Sequence, residues 1–171
     1  MRVHVMALAA ALAMPGSSAL KTHRPAAGPS SPRTPAVAVS GSCSFKTTDV
    51  AAAASFDQST STRYVNLHEG GSITFRQTRM GCVAGSFFAN AGNADATDHV
   101  LLQVLLDGTA CAPLTGGYIF ANSSDDFSSH SAGFFCGAKI APGKHTIQVQ
   151  YASGLGGDSQ LFQRTLQVSH E

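Results

Sequence analysis

The ten residues KHTIQVQYAS, at positions 144–153, constrain the fold more than any other part of this chain. Their side chains alternate in character along the segment, with His145, Ile147, Val149 and Tyr151 set against Lys144, Thr146, Gln148 and Gln150. Successive residues of a β-strand point to opposite faces of the sheet, so a period of two indicates a strand. The segment therefore predicts a strand with one buried face and one face in water.

A second segment, HVLLQVLLD at positions 99–107, has apolar residues on both of its faces. One face carries four apolar residues, Val100, Leu102, Val104 and Leu106, and the other face carries two, Leu101 and Leu105. Strands that are apolar on both faces are typical of the buried middle of a sheet. We expect this strand to lie mid-sheet.

Strand signals recur along the chain and predict about eight strands, at positions 63–67, 72–77, 82–90, 99–107, 117–121, 131–140, 144–152 and 160–168. Turn signals separate many of them, at positions 69–71, 107–108, 115–117, 141–143 and 155–157. The four alanines at positions 51–54 are compatible with one helical turn. The pattern predicts an all-β fold, an antiparallel two-sheet β-sandwich.

Composition supports this fold class and excludes others. The chain of 171 residues has 17 glycines, which suits many short strands joined by turns. It contains neither of the glycine-rich phosphate-binding motifs, G-x-x-x-x-G-K-[ST] and G-x-G-x-x-G, so nucleotide-binding α/β folds are excluded. A formal charge of +1 provides no attraction to nucleic acid or to an anionic membrane, and neither partner is expected.

The segments VAGSFFANA, LLQVLLDG, APGKHTIQVQY and RTLQV together resemble the jelly-roll-like β-sandwich domains of small secreted bacterial proteins. The resemblance covers about residues 63–168 and rests on the order of strands and turns. It implies a jelly-roll-like sandwich, and it transfers no catalytic residue to this chain.

The first 42 residues differ in composition from the rest. Val5 to Met14 form an apolar run of about ten residues, the length of a signal-peptide core, and Ser17-Ser18-Ala19 supplies the small residues of a cleavage site. Residues 1–19 are predicted to be a signal peptide, and the run is too short for a transmembrane anchor. Residues 20–42 hold four of the seven prolines and predict a disordered tether before a sandwich domain at 43–171. The protein is expected to be secreted or periplasmic.

The chain contains four cysteines, Cys43, Cys82, Cys111 and Cys136. An even number in an exported domain favours two disulfides, for which three pairings exist. Zinc sites use short C-x₂-C spacings, which are absent here. The strand order brings Cys111 and Cys136 toward the same end of the sandwich, so we favour Cys111–Cys136 and Cys43–Cys82.

Antiparallel strands place every second connection at the same end of a sandwich. The connections therefore divide between two ends, which we call the first end and the second end. Six of the ten acidic residues are predicted to meet at the first end: Glu69, Asp95, Asp98, Asp125, Asp126 and Asp158. The second end is predicted to collect basic residues: Arg63, Arg76, Arg79, Lys139 and Lys144. Carboxylates from several loops are ligands for Ca²⁺, so weak Ca²⁺ binding is one hypothesis. The alternative is a solvated rim that keeps the protein soluble.

The first end is also the predicted ligand-binding surface, with candidate residues Asp95, Asp98, Asp125, Asp126, Phe127, His130 and Asp158. Phe127 or Tyr118 could provide an apolar or stacking anchor for a sugar or peptide. The alternative for both aromatic residues is core packing.

Three histidines, His68, His99 and His130, are predicted near the acidic end, where His and Asp could hold a metal or act as a general base. The H-E-x-x-H and G-x-S-x-G motifs are absent, which argues against catalysis. His145 lies on the apolar side of its strand and is predicted to be a hydrogen-bonded interior histidine. His170 is expected to lie in a terminal tail.

The sequence as a whole favours a secreted, non-catalytic binding module that recognises an extracellular carbohydrate, peptide or protein surface. The alternative is a structural or assembly subunit of the cell envelope or of a surface appendage, which self-associates through a strand edge. A small metal-dependent hydrolase is the third hypothesis.

Overall fold

A computed structural model describes residues 43–122 and 127–171, and these residues form strands and connecting turns with no helix. The strands are β1 (Thr47–Ala53), β2 (Asp57–Ser59), β3 (Val65–Asn66), β4 (Ser72–Gln77), β5 (Gly81–Asn93), β6 (His99–Leu106), β7 (Thr109–Asn122), β8 (Ser128–Ile140), β9 (Gly143–Ser153) and β10 (Ser159–His170). All of their pairings are antiparallel. The predicted all-β class is confirmed.

The strands form two sheets. We call the first the β10 sheet. Its edge is formed by β1 and β2, which both pair with β10, and β10 is followed by β5 and then β8. The second, the β6 sheet, runs from β7 through β6 and β9 to an edge made of β3 and β4. A single residue pair between β7 and β8, Ala112 with Phe135, joins the two sheets.

Two of the edges are interrupted strands, which explains why ten segments form an eight-stranded fold. β1 and β2 pair one after the other along β10, and β3 and β4 do the same along β9. When β1 and β2 together count as strand 1, and β3 and β4 together as strand 2, β5 to β10 become strands 3 to 8. The two sheets then have the strand orders 1-8-3-6 and 2-7-4-5. This is the jelly-roll arrangement of two four-stranded sheets, as the sequence predicts.

The core lies between the two sheets and is formed by alternate residues of each strand. On β9, Ile147, Val149 and Tyr151 are buried as the sequence predicts. β6 buries the four residues of its more apolar face and has β7 and β9 as neighbours, so its predicted position in the middle of a sheet is confirmed.

Two local predictions are wrong. The alanines at positions 51–53 belong to β1, which pairs with β10 over seven residues, so sheet pairing overrides the helical preference of alanine. The glycines at 116 and 117 form an irregularity inside β7 instead of a turn between two strands, since β7 continues from Thr109 to Asn122. Both glycines have positive φ, which lets the strand absorb extra residues and continue.

The predicted disulfides are confirmed: Cys43 is bonded to Cys82 and Cys111 to Cys136. Cys82 lies at the start of β5 and Cys111 near the start of β7, which places both bonds toward the same end of the sandwich. We call this the disulfide end, and the opposite one the loop end. The predicted signal peptide and tether lie outside the described residues.

The loop end collects the connections at 60–64, 94–98 and 154–158, which hydrogen bonds join to one another and to the adjoining strands. Because β3 and β4 run in the same direction along β9, His68 and Glu69 lie midway along a sheet edge, and the prediction that places them at the loop end is wrong. Arg63 lies at the loop end, and the prediction that groups it with the other basic residues at the opposite end is wrong. The disulfide end also has acidic groups, since Arg79 pairs with Glu171 and His170 with Asp49.

Candidate functional site

The outer face of the β10 sheet, which points away from the core, carries an unusual set of side chains near the loop end. Residues directly opposite one another on antiparallel strands share a face. Two rows of such residues cross β10, β5 and β8. The first row contains Phe162, Asn90 and Ser129, and the next contains Thr165, Phe88 and Ser131. The intervening residues of β5, among them Phe87 and Ala89, are buried in the core.

A bulge in β10 determines which residues reach this face. The pairing with β5 shifts between Phe162 and Thr165, and Gln163 within it has a φ of 50°. The extra residue brings Phe162 to the outside while Arg164 remains buried. The Nδ2 of Asn90 donates a hydrogen bond of 2.5 Å to Oε1 of Gln163, and Ser129 Oγ donates one of 2.6 Å to Asn90 Oδ1.

Three phenylalanines border a groove of about 440 Å³ beside this polar cluster. Phe56 is 54% exposed and Phe127 is 40% exposed, and the partly buried Phe162 completes the set. The rings of Phe127 and Phe162 lie 6.0 Å apart between centroids and are inclined by 48°. The predicted anchor Phe127 therefore lies in an exposed aromatic groove, whereas Tyr118 packs against the core.

We call this surface the Phe face. Its described side chains are apolar, amide or hydroxyl groups, and none is charged: Ala54, Phe56, Gln58, Phe88, Asn90, Phe127, Ser129, Ser131, Gln160, Phe162, Gln163 and Thr165. Asp158 borders the surface, and its Oδ2 accepts hydrogen bonds from Gln58 and Gln160 at 2.9 and 2.7 Å. Such a face suits an uncharged ligand that has both apolar and hydroxyl or amide groups.

Asp98 has a structural position at the loop end. Its buried carboxylate accepts hydrogen bonds from Ser153 Oγ and from the backbone N–H groups of His99, Leu155 and Gly157. Burial opposes its ionisation, but these four hydrogen bonds outweigh burial and lower the pKa to about 2. Asp98 thus holds the 153–157 turn in place with the same oxygens that a metal ion would need.

The other candidate acidic residues are dispersed. Asp95 Oδ1 accepts hydrogen bonds from the N–H and Oγ1 of Thr97, and Glu69 lies away from this end. Asp125 and Asp126 lie outside the described residues. Within residues 43–122 and 127–171, no three His, Cys, Asp or Glu side chains form a group that could hold a metal ion. Weak Ca²⁺ binding remains a prediction.

The candidate histidines make separate contacts. Nδ1 of His68, whose side chain is 82% exposed, lies 2.8 Å from Asp57. His99 packs beneath Gly154 at the loop end. His130 Nε2 lies 2.9 Å from Ser128 Oγ, and its ring contacts Phe120.

Two other histidines lie at the disulfide end. His145 is hydrogen-bonded to Asp107 at 2.6 Å and to the Ala141 carbonyl at 2.9 Å, which confirms that its ring nitrogens are satisfied. His170 was expected in a tail but is the buried last residue of β10, because the chain stays paired with β1 up to that position.

Sequence reasoning missed a buried ion pair beneath the Phe face. Arg164 NH1 lies 2.7 Å from Asp57 Oδ2, and both side chains are buried. The guanidinium also donates to the carbonyls of Leu161 and Glu69 and to Ser55 Oγ. Arg164 therefore contacts both interrupted edges, near the start of β2 and between β3 and β4. Its only signal in the sequence is that it shares the alternation of the buried Leu166 and Val168.

No protein-family model matches the chain, and no curated protein matches it in sequence. Among solved structures, the chain is similar to the CBM36-1 domain of a multidomain xylanase from the hindgut metagenome of Trinervitermes trinervoides, with a TM-score of 0.34 and 10% identity over 70% of this chain and 96% of that one. It is also similar to a family two carbohydrate esterase from Cellvibrio japonicus, with a TM-score of 0.29 and 14% identity over 73% of this chain and 34% of that one.

Proposed function

We propose that residues 43–171 form a non-catalytic binding module for an uncharged extracellular carbohydrate, and that the Phe face is its binding surface. The observation that carries the proposal is the composition of this face: three phenylalanine rings, two of them exposed, border a groove, amide and hydroxyl groups lie beside them, and charged side chains are absent from its described residues.

A sugar ring matches this composition because it has apolar C–H faces and a rim of hydroxyl groups. The C–H faces can lie against Phe162 and Phe127, where burial of apolar surface favours binding. Hydroxyl groups can exchange hydrogen bonds with side-chain amides such as those of Gln160 and Asn90. An uncharged ligand also avoids the cost of leaving a buried charge without a partner.

The experiment is affinity electrophoresis and calorimetry with a panel of neutral polysaccharides, comparing the wild-type protein with Phe162→Ala. Loss of one stacking ring should weaken binding by about tenfold, which corresponds to about 1.4 kcal/mol. Ile119→Ala is the matched control, because Ile119 is exposed but lies on β7 in the other sheet. Wild-type affinity in Phe162→Ala, or an equal loss in Ile119→Ala, would contradict the proposal.

A structural or assembly subunit remains the second candidate, and β1 is the observation in its favour. β1 is an edge strand that pairs only with β10 among the described strands, and Val50 on it is 61% exposed. Exposed strand edges pair readily with other chains or with extended peptides. Sedimentation over a concentration series tests this role: association that Val50→Lys abolishes supports a subunit, and a monomer at all concentrations rejects it.

A further inference from the structure

We propose that the carbohydrate site extends beyond the groove, across Asn90 to Phe88, so that it binds a linear oligosaccharide with two stacking positions. This inference rests on the proposed function and specifies its ligand. Phe88 lies outside the groove of Phe56, Phe127 and Phe162, and it is 45% exposed on the same outer face.

The strand register fixes where Phe88 lies relative to the groove. Asn90 is directly opposite Phe162, and Phe88 is two residues earlier on the same strand, about 7 Å away along β5. Side chains two residues apart on a strand share a face, so Phe88 and Phe162 both point outward, diagonally across the β5–β10 pair. A linear chain that leaves the groove past Phe162 in this direction would next meet Phe88.

The cluster between the two rings offers hydrogen-bonding groups at the intermediate position. Asn90 donates to Gln163 and accepts from Ser129, and these two bonds leave its side chain one further N–H and one further lone pair. Ser131, opposite Phe88, adds a hydroxyl group to the next row. The mutual hydrogen bonds hold the amides in place before a ligand arrives, which reduces the entropy lost on binding.

The shape of the aromatic surface favours a single chain in solution over the flat surface of a solid polymer. The rings of Phe127 and Phe162 are inclined by 48°, so they cannot both lie flat on one plane. A single oligosaccharide can rotate about its linkages and place successive rings against inclined aromatic groups. Soluble oligosaccharides are therefore the appropriate probes.

The test is calorimetric titration of the full-length protein with β-1,4-linked gluco-, xylo- and manno-oligosaccharides, each from disaccharide to hexasaccharide. We expect Phe88→Ala to weaken hexasaccharide binding by about tenfold and to leave disaccharide binding unchanged. Phe162→Ala should weaken both. Phe88→Tyr keeps the aromatic ring and should restore hexasaccharide binding, and melting temperatures show that each variant is folded.

The outcomes separate the two claims. If Phe162→Ala weakens binding but Phe88→Ala leaves hexasaccharide affinity unchanged, the extension is overturned and the proposed function stands. If Phe88→Ala weakens all lengths equally, Phe88 belongs to the groove itself, and the extension is again overturned. If wild-type protein binds none of these oligosaccharides and no polysaccharide in the wider panel, the proposed function fails and the extension fails with it.

Discussion

The two sides of β10 have opposite chemistry. The inner side near the bulge has a buried guanidinium, Arg164, paired with the carboxylate of Asp57. The outer side of the same few residues has Phe162 and Gln163 on a surface whose described side chains are uncharged. The inner contacts hold two interrupted edge strands in place, and the outer side chains remain available for a ligand. We therefore expect stability and the proposed binding to depend on different side chains of one short segment.

The largest expected effect comes from removing the inner charge. Arg164→Met removes the guanidinium and leaves the buried carboxylate of Asp57 with only the exposed His68 beside it, and breaking such a buried pair costs about 3–5 kcal/mol. The free energy of unfolding from urea denaturation at neutral pH should fall by this amount. Gln167→Asn, on the outer side of β10 beyond the bulge, is the control and should change stability by less than about 0.5 kcal/mol.

A double variant sharpens this prediction. Combining Arg164→Met with Asp57→Leu removes both buried charges, and part of the lost stability should return because no unpaired charge remains. A single Arg164→Met variant that loses less than about 1 kcal/mol would mean that Asp57 is neutral, hydrated or sufficiently paired with His68 in the folded protein. The contrast between the two sides of β10 would then not hold.

The next largest effect concerns another buried carboxylate, at the loop end. In Asp98→Asn, an amide NH₂ group would face N–H or O–H donors at one of the two oxygen positions, which costs about 2–3 kcal/mol. The folded-state pKa of Asp98 is lowered to about 2 from 3.8, so its contribution is complete above pH 3.8 and is lost as pH falls toward 2. Wild-type unfolding free energy should fall through this range more steeply than that of Asp98→Asn. Parallel slopes would contradict the assigned role.

The same contrast explains which parts of the molecule could be predicted from sequence. β6 and β9 lie in a regular ladder with each other, so their period of two reports burial correctly. The favoured cysteine pairing is also the one that the structure has. Phe162 shares the parity of Arg164 and Leu166, so simple alternation places it inside the core. The bulge reverses its direction, and no glycine or proline within residues 159–168 marks the bulge in the sequence. The candidate site depends on that one irregularity.

A smaller effect is expected from a half-exposed charged pair at the disulfide end. Burial opposes charge on His145 and Asp107, but their mutual hydrogen bond raises the pKa of His145 above 6.5 and lowers that of Asp107 below 3.8. Both contributions are complete between pH 3.8 and 6.5. Stability is lost as pH rises through the folded pKa of His145 and as pH falls through that of Asp107. Thermal melting across pH 5–9 should show a decline above pH 6.5 in wild type that His145→Gln removes, and an unchanged decline in the variant would assign it to other groups.

The smallest effect on stability is expected on the outer side of β10, where the effect on binding should be largest. Phe162→Ser removes a partly buried aromatic ring that borders the groove outside the core, so the free energy of unfolding should fall by about 1 kcal/mol, well below the loss in Arg164→Met. The same variant should lose binding to whichever neutral polysaccharide the wild-type protein retains in affinity electrophoresis. If Phe162→Ser were instead to destabilise the fold as much as Arg164→Met, the contact of Phe162 with Phe127 would be part of the packing that closes the sandwich. The Phe face would then be an extension of the core, and the separation between the two sides of β10 would not hold.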